Sequence, residues 1–177
     1  MTLQDNRMKR ICAWCQKDMG EVMSHTEGEY DITHGMCEDC AKQILACDRQ
    51  NLHKFLDSID VPILLLQSEP RVVTGNRRAR ELLGKDLPEI DDHLGGDVMG
   101  CAYASLPGGC GQQSHCESCT IRRTVLHTFR TGKGSYRVSA YPDIQIENEV
   151  KSMALLITTE KVGDAVLLRI EDLRENT

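Results

Sequence analysis

Two short cysteine pairs, Cys12-Ala-Trp-Cys15 and Cys37-Glu-Asp-Cys40, stand 21 residues apart and constrain this chain more than any other feature. A C-x2-C turn lets two thiolates reach one ion at about 2.3 Å, and two such turns complete a closed tetrahedral zinc site with no position left for water. The spacing therefore predicts a structural zinc site at Cys12, Cys15, Cys37 and Cys40, with a β-hairpin excursion of 21 residues between the pairs. Residues 12–40 otherwise hold five glycine or histidine positions and little apolar content. They cannot bury a core of their own and need a metal or a partner. His34, three residues before Cys37, is expected to donate a hydrogen bond to a thiolate rather than to ligate, and His25 reads as a solvated loop residue. Nine cysteines in 177 residues fall below the roughly 8–10% of a disulfide scaffold, which favours metal or redox chemistry over staples.

Charge and hydropathy remove several classes. The formal charge of −6 splits into −3 over residues 1–57 and −3 over residues 58–177, so no basic region hides in the average and nucleic acid is disfavoured as a partner. The longest strongly apolar run, Val61 to Leu66, is far short of the roughly 18 residues of a membrane helix. The first residues lead into polar, cysteine-bearing sequence without the apolar stretch of a secretory signal, which reads as a cytoplasmic protein. No nucleotide-binding glycine pattern, HExxH or Ser-His-Asp grammar is present, so the chain is not expected to be an enzyme.

From Ala41 to Ile59 the apolar positions Ile44, Leu45, Leu52, Phe55, Leu56 and Ile59 fall at helical spacing. They predict a connecting helix that either packs on its own domain or joins a homodimer. Cys47, on this stretch, reads as a small buried hydrophobe. After Pro62 short β-like runs begin. Val61–Leu66 and Arg71–Thr74 flank a Ser-Glu-Pro turn, and Asn76 to Leu83 reads as a helix closed by Gly84. Residues 85–118, with eight glycines and prolines, are expected to be irregular, and so long a loop usually has a job. Ile121, Val125 and Phe129 make 119–131 a helix with a buried stripe, ended by Gly132. Three strands are expected next, around Tyr136–Ala140, Met153–Thr158 and Ala165–Ile170, with Gly163-Asp164 as a hairpin turn.

A second cysteine set, Cys101, Cys110, Cys116 and Cys119, follows the spacing C-x8-C-x5-C-x2-C. Glycines around Cys110 let backbone N–H groups approach a thiolate or cluster, and Cys119 stands at a helix start with Arg122 and Arg123 nearby. That environment is expected to favour several thiolates together. An iron-sulfur cluster, a second zinc or a metal-free thiol/disulfide switch are the open occupants, with haem through His93 or His115 a remainder. Asp91-Asp92-His93 reads as an exposed acidic loop, and His127 as a packed or half-exposed helix residue.

Two resemblances organise these parts. Ile11-Cys12-Ala13-Trp14-Cys15 with Thr33-His34-Gly35-Met36-Cys37-Glu38-Asp39-Cys40 resembles the short modules that accompany PAS and receiver domains in bacterial signalling proteins, here read as zinc-ribbon-like. Val61-Pro62-Ile63-Leu64-Leu65-Leu66 with Asn76-Arg77-Arg78-Ala79-Arg80-Glu81-Leu82-Leu83-Gly84 resembles the opening of a PAS domain, and Cys101 to Arg122 is similar to a cysteine-rich subset of that family. The resemblance implies an α+β fold, an antiparallel sheet flanked by helices. It divides the chain into a zinc-binding module (1–40), a connecting helix (41–59) and a PAS-like domain with a cysteine-rich loop (60–177). It implies a cytoplasmic sensor or regulator of bacterial signal transduction, with a redox- or metal-responsive second set. No effector is expected after Leu173-Arg-Glu-Asn-Thr177, so output would pass to a separate histidine kinase, regulator or enzyme. The alternatives are a zinc-ribbon nucleic-acid or transcription adaptor, an iron-sulfur electron carrier, and a PAS fold used only for dimerisation around a zinc-stiffened loop.

Overall fold

The computed structural model describes residues 7–25, 32–46 and 49–176. Its N-terminal part is a small sheet of β1 (Arg7–Cys12), β2 (Asp18–Met23) and β3 (Ile32–Gly35), in the order β2-β1-β3. β2 returns antiparallel to β1, but β3 runs parallel to it, so the segment between the cysteine pairs is more than the expected hairpin. α1 (Glu38–Leu45) starts at the second cysteine pair and α2 (Arg49–Asp57) follows, replacing the single connecting helix by two. Cys47 lies outside the described residues.

The larger sheet begins with β4 (Ile63–Leu66) and β5 (Val72–Gly75). Between β5 and the next strand come α3 (Arg77–Leu83), α4 (Leu87–Ile90), α5 (Gly95–Met99), α6 (Ser114–Ser118) and α7 (Thr120–Thr131). The sheet is completed by β6 (Ser135–Ala140), β7 (Asp143–Ile146), β8 (Glu149–Val162) and β9 (Ala165–Glu175). Its order is β5-β4-β9-β8-β6, antiparallel throughout, with β7 paired to the first half of β8. This is the α+β arrangement the resemblance implied, an antiparallel sheet flanked by helices. The stretch 85–118 is less irregular than expected: Asp86 and Glu89 close a capping box at the start of α4, and two further short helices follow.

Side chains of the central strands alternate between two cores, as period two demands. Leu64, Leu66, Leu155, Ile157, Val166, Leu168 and Ile170 face inward, onto Val125 of α7 and Val98 and Met99 of α5. Ile63, Val162 and Leu167 face outward, onto Cys12, Met36, Cys37, Cys40, Ile44, Phe55, Leu56 and Ile59. The N-terminal module thus does have a partner for its missing core, and that partner is the outer face of the sheet. Of the apolar stripe that suggested a homodimer, Ile44, Leu52, Phe55, Leu56 and Ile59 pack into this same core. Asn76 ties this layer down. Its Oδ1 accepts from the amides of Ala79 and Ile63 at 2.9 Å each. Its Nδ2 faces the carbonyls of Leu56, Ile59 and Val61 at 3.2, 3.0 and 2.8 Å.

Candidate functional site

The first cysteine set forms the centre expected of it. The sulfurs of Cys12, Cys15, Cys37 and Cys40 all lie within 4.8 Å of one another, and those of Cys15 and Cys37 are 3.6 Å apart. A tetrahedral ion with bonds of about 2.3 Å needs sulfurs about 3.8 Å apart, so the four thiols fit a single metal ion. Cys12, Cys37 and Cys40 are buried and Cys15 is exposed. Burial pushes the Cys12 thiol up, but the amides of Cys15, Cys37 and Trp14 outweigh it and bring Cys12 down to about 7. Burial and the other three sulfurs push Cys40 up instead. The set therefore loads by displacing protons, and Cys40 holds its proton hardest. The first turn is further anchored by Trp14, whose ring stacks on Phe55 of α2 at 3.7 Å.

His34 departs from expectation. It is exposed, and no hydrogen bond joins its ring to a cysteine among the described residues. Its backbone carbonyl, however, accepts from Arg169. The thiolate instead receives the Cys37 amide, which donates to the Cys12 sulfur at 3.4 Å.

What the sequence reading missed is the polar layer beneath this centre. Glu160 of β8, its side chain only 4% exposed, faces Arg10 Nε at 2.5 Å, accepts the Met36 amide at 2.9 Å, and takes the Tyr136 hydroxyl at 3.1 Å. Gly35 makes this approach possible. A Cβ there would lie 2.5 Å from both Glu160 carboxylate oxygens and 2.7 Å from Arg10 Nε. Beside it Arg169 donates to Thr33 Oγ1 at 2.6 Å and to Glu171 Oε1 at 2.7 Å, and Arg137 pairs with Glu171. Arg169 leads the charges that hold the Glu171 carboxyl low against the opposing effect of burial. Tyr136 and Arg137, neighbours in β6, both reach this outer face because the register shifts between Ser135 and Val138. A signal was present: Glu160 and Arg169 are charges inside otherwise apolar strand sequence, where a charge needs a partner.

The second set is arranged differently. Cys101, Cys110, Cys116 and Cys119 all line one cavity of about 260 Å³ between the inner sheet face and α5 to α7. Its walls include Leu64, Leu66, Met99, Ile121, Val125 and Leu168. Among the described residues only the first set brings three or more possible ligand atoms within 4.8 Å, so the second is spread wider than one tetrahedral ion requires. Gly96 admits Cys110, since a Cβ there would meet its sulfur at 2.7 Å, and the Gly111 amide donates to Cys116 at 3.1 Å. Cys119 caps α7, as the spacing predicted. Burial, aided by the charges of neighbouring cysteines, pushes both Cys101 and Cys110 up, so an occupant must displace their protons. His115, on the cavity wall, stacks on Tyr103 at 3.9 Å, while His93 is exposed with its ring against the Asp91 carbonyl.

The two sets meet across a single strand. Thr159, next to Glu160, points inward, and its hydroxyl lies 2.7 Å from that of Thr128 on α7. One strand therefore touches the metal module with one residue and the helix behind the cavity with the next.

Among the described residues, no helix is long and apolar enough to cross a membrane. No protein-family profile and no curated protein matches the chain. Among solved structures it is similar to the Rhodobacter sphaeroides LOV protein, at 15% identity over 76% of this chain and 67% of that one, with a TM-score of 0.49. It is also similar to the photoactive yellow protein domain from the sensor histidine kinase Ppr of Rhodospirillum centenum (11% identity, 75% and 99% covered, TM-score 0.46). A third is the PAS domain of Bordetella pertussis BvgS (9% identity, 72% and 85% covered, TM-score 0.41).

Proposed function

We propose that this chain is a cytoplasmic PAS-type sensory protein of bacterial signal transduction. In this reading zinc at Cys12, Cys15, Cys37 and Cys40 holds the outer layer, and the second cysteine set carries a redox- or metal-responsive centre. The observation that carries it is the convergence of four cysteines, drawn from separate turns and helices, on one pocket of about 260 Å³. A mostly apolar pocket with few convergent reactive groups is the usual form of a ligand site. The wide sulfur spacing supports an iron-sulfur cluster over a second zinc. A change of state there reorders residues 95–118 and passes through α7 and β8 to the outer layer, where a separate histidine kinase, regulator or enzyme reads it without any chemistry by this chain. A reducing compartment suits both sets.

Purification without oxygen, followed by metal analysis and a visible spectrum, tests the proposal. The expected result is one zinc per chain together with iron, sulfide and a broad visible absorption that air bleaches and that Cys110→Ser and Cys119→Ser lack. Colourless protein with two zinc ions per chain would overturn the redox centre. Colourless protein with one zinc and reversible disulfides within the second set would replace it by a thiol switch.

A further inference from the structure

Resting on the cluster reading just given, we propose that Arg122 is the counter-charge for an anionic, thiolate-ligated iron-sulfur cluster in the cavity. Arg122 lies in the first turn of α7 and lines the cavity with all four cysteines of the second set. Its Nε is buried and has no hydrogen-bond partner among the described residues. Elsewhere on the wall, Tyr103 donates to Asp143 at 2.7 Å and stacks on His115, and the Ser118 hydroxyl donates to the His115 carbonyl. The neighbouring Arg123 is exposed and is not part of the wall.

The position of the guanidinium fits the role. It lies over the Gly111 turn, where a Cβ would be 3.6 Å from Nε and 4.0 Å from Nη2. The amide of that same glycine donates to Cys116. The cation therefore sits one backbone layer from a ligand sulfur. A buried donor of a charged group left unmade is costly, and an occupant with negative charge relieves it. Four thiolates impose the opposite problem. Four thiolates around a cluster with net negative charge, in a mostly apolar cavity, require a nearby cation. Each side of the cavity supplies what the other lacks.

A fixed positive charge stabilises the more negative, reduced state of a cluster, so removing it makes reduction harder. The test uses the whole chain, purified without oxygen, reconstituted with ferrous iron and sulfide, and titrated with dithionite through mediator dyes, each cluster taking up one electron. Arg122→Met is expected to lower the reduction equilibrium about tenfold, which is about 59 mV for one electron. Arg122→Lys should restore most of the shift and Arg123→Met should cause none. Zinc retained at the first set and unchanged far-ultraviolet circular dichroism report that a variant is folded. If Arg122→Met does not fold, Arg122→Gln against Arg122→Lys makes the same comparison. A cluster whose potential is the same in the neutral variant and the wild type overturns the role of Arg122 alone. A wild-type chain that takes up no cluster overturns the role together with the reading beneath it.

Discussion

The two cysteine sets occupy opposite faces of one sheet and differ in what surrounds them. On the outer face, four sulfurs within 4.8 Å of one another sit in an apolar core shared with Ile63, Val162 and Leu167, over a layer of buried ion pairs. On the inner face, four sulfurs are spread around a cavity that the fold leaves open for something larger than an ion. One arrangement closes a structure and the other reserves a space. Equal numbers of cysteines are therefore set in different surroundings, and packing separates them where spacing alone does not.

The sharpest way to break the comparison is to remove one ligand from each set. Cys37→Ser is expected to release the first metal and unfold the outer layer, because structural zinc contributes about 10 kcal/mol or more to such modules. The inner core of β4, β8 and β9 should stay protected in hydrogen exchange. Cys110→Ser should shift urea stability by no more than about 1 kcal/mol. Full metal content in Cys37→Ser, or equal destabilisation by the two changes, would erase the distinction.

A smaller effect is expected where the outer layer meets the sheet. Glu160→Gln leaves the half-buried Arg10 without its partner and should cost less than the roughly 3–5 kcal/mol of breaking a fully buried pair. Urea unfolding should show the loss, and chelator competition should show weaker metal retention, since the Met36 amide beside Cys37 loses a charged acceptor. On the inner side, Thr159→Val strips the buried Thr128 hydroxyl of its partner and should cost about 1–3 kcal/mol, with metal retention unchanged. If Thr159→Val weakens metal retention as much as Glu160→Gln, the two faces are not separable.

The smallest expected effect is one of pH. The pKa of Glu171 is lower folded than unfolded, so its contribution is complete above the ordinary carboxylate range of about 4.3 and is lost as pH falls through the lowered folded value. Glu171→Gln should flatten the acid limb of the stability curve. An acid limb identical to that of the wild type would remove the ion layer from the account.

The sequence was most legible where a local rule decides the outcome. The convergence of the first cysteine set, the helix that Gly84 closes, the stripe on α7 and the Gly163-Asp164 turn were each predicted from spacing or turn chemistry and are present. What local rules do not decide was missed. β3 lies parallel to β1 because the sheet beneath supplies Arg169 and Glu160 to hold it, and nothing between Ile32 and Gly35 announces that. β7 is four residues, two of them exposed, and exists by pairing with the first half of β8, which runs well beyond the Met153–Thr158 predicted. The helix start at Cys119 was legible from the spacing, but the partial burial of Cys101 and Cys110 depends on how the loop closes over the sheet.

Thr159 and Glu160 also make the chain sensitive to a kind of error that point substitutions do not sample. A one-residue slip of β8 would turn the hydroxyl toward Arg10 and drive the carboxylate into the inner apolar layer. The alignment is held by the tight turn at residues 163–164, where Val162 faces Ala165. A single deletion in that turn would reverse both faces together, costing metal retention on one side and cavity closure on the other. Within β8 the protein tolerates a changed letter better than a missing one.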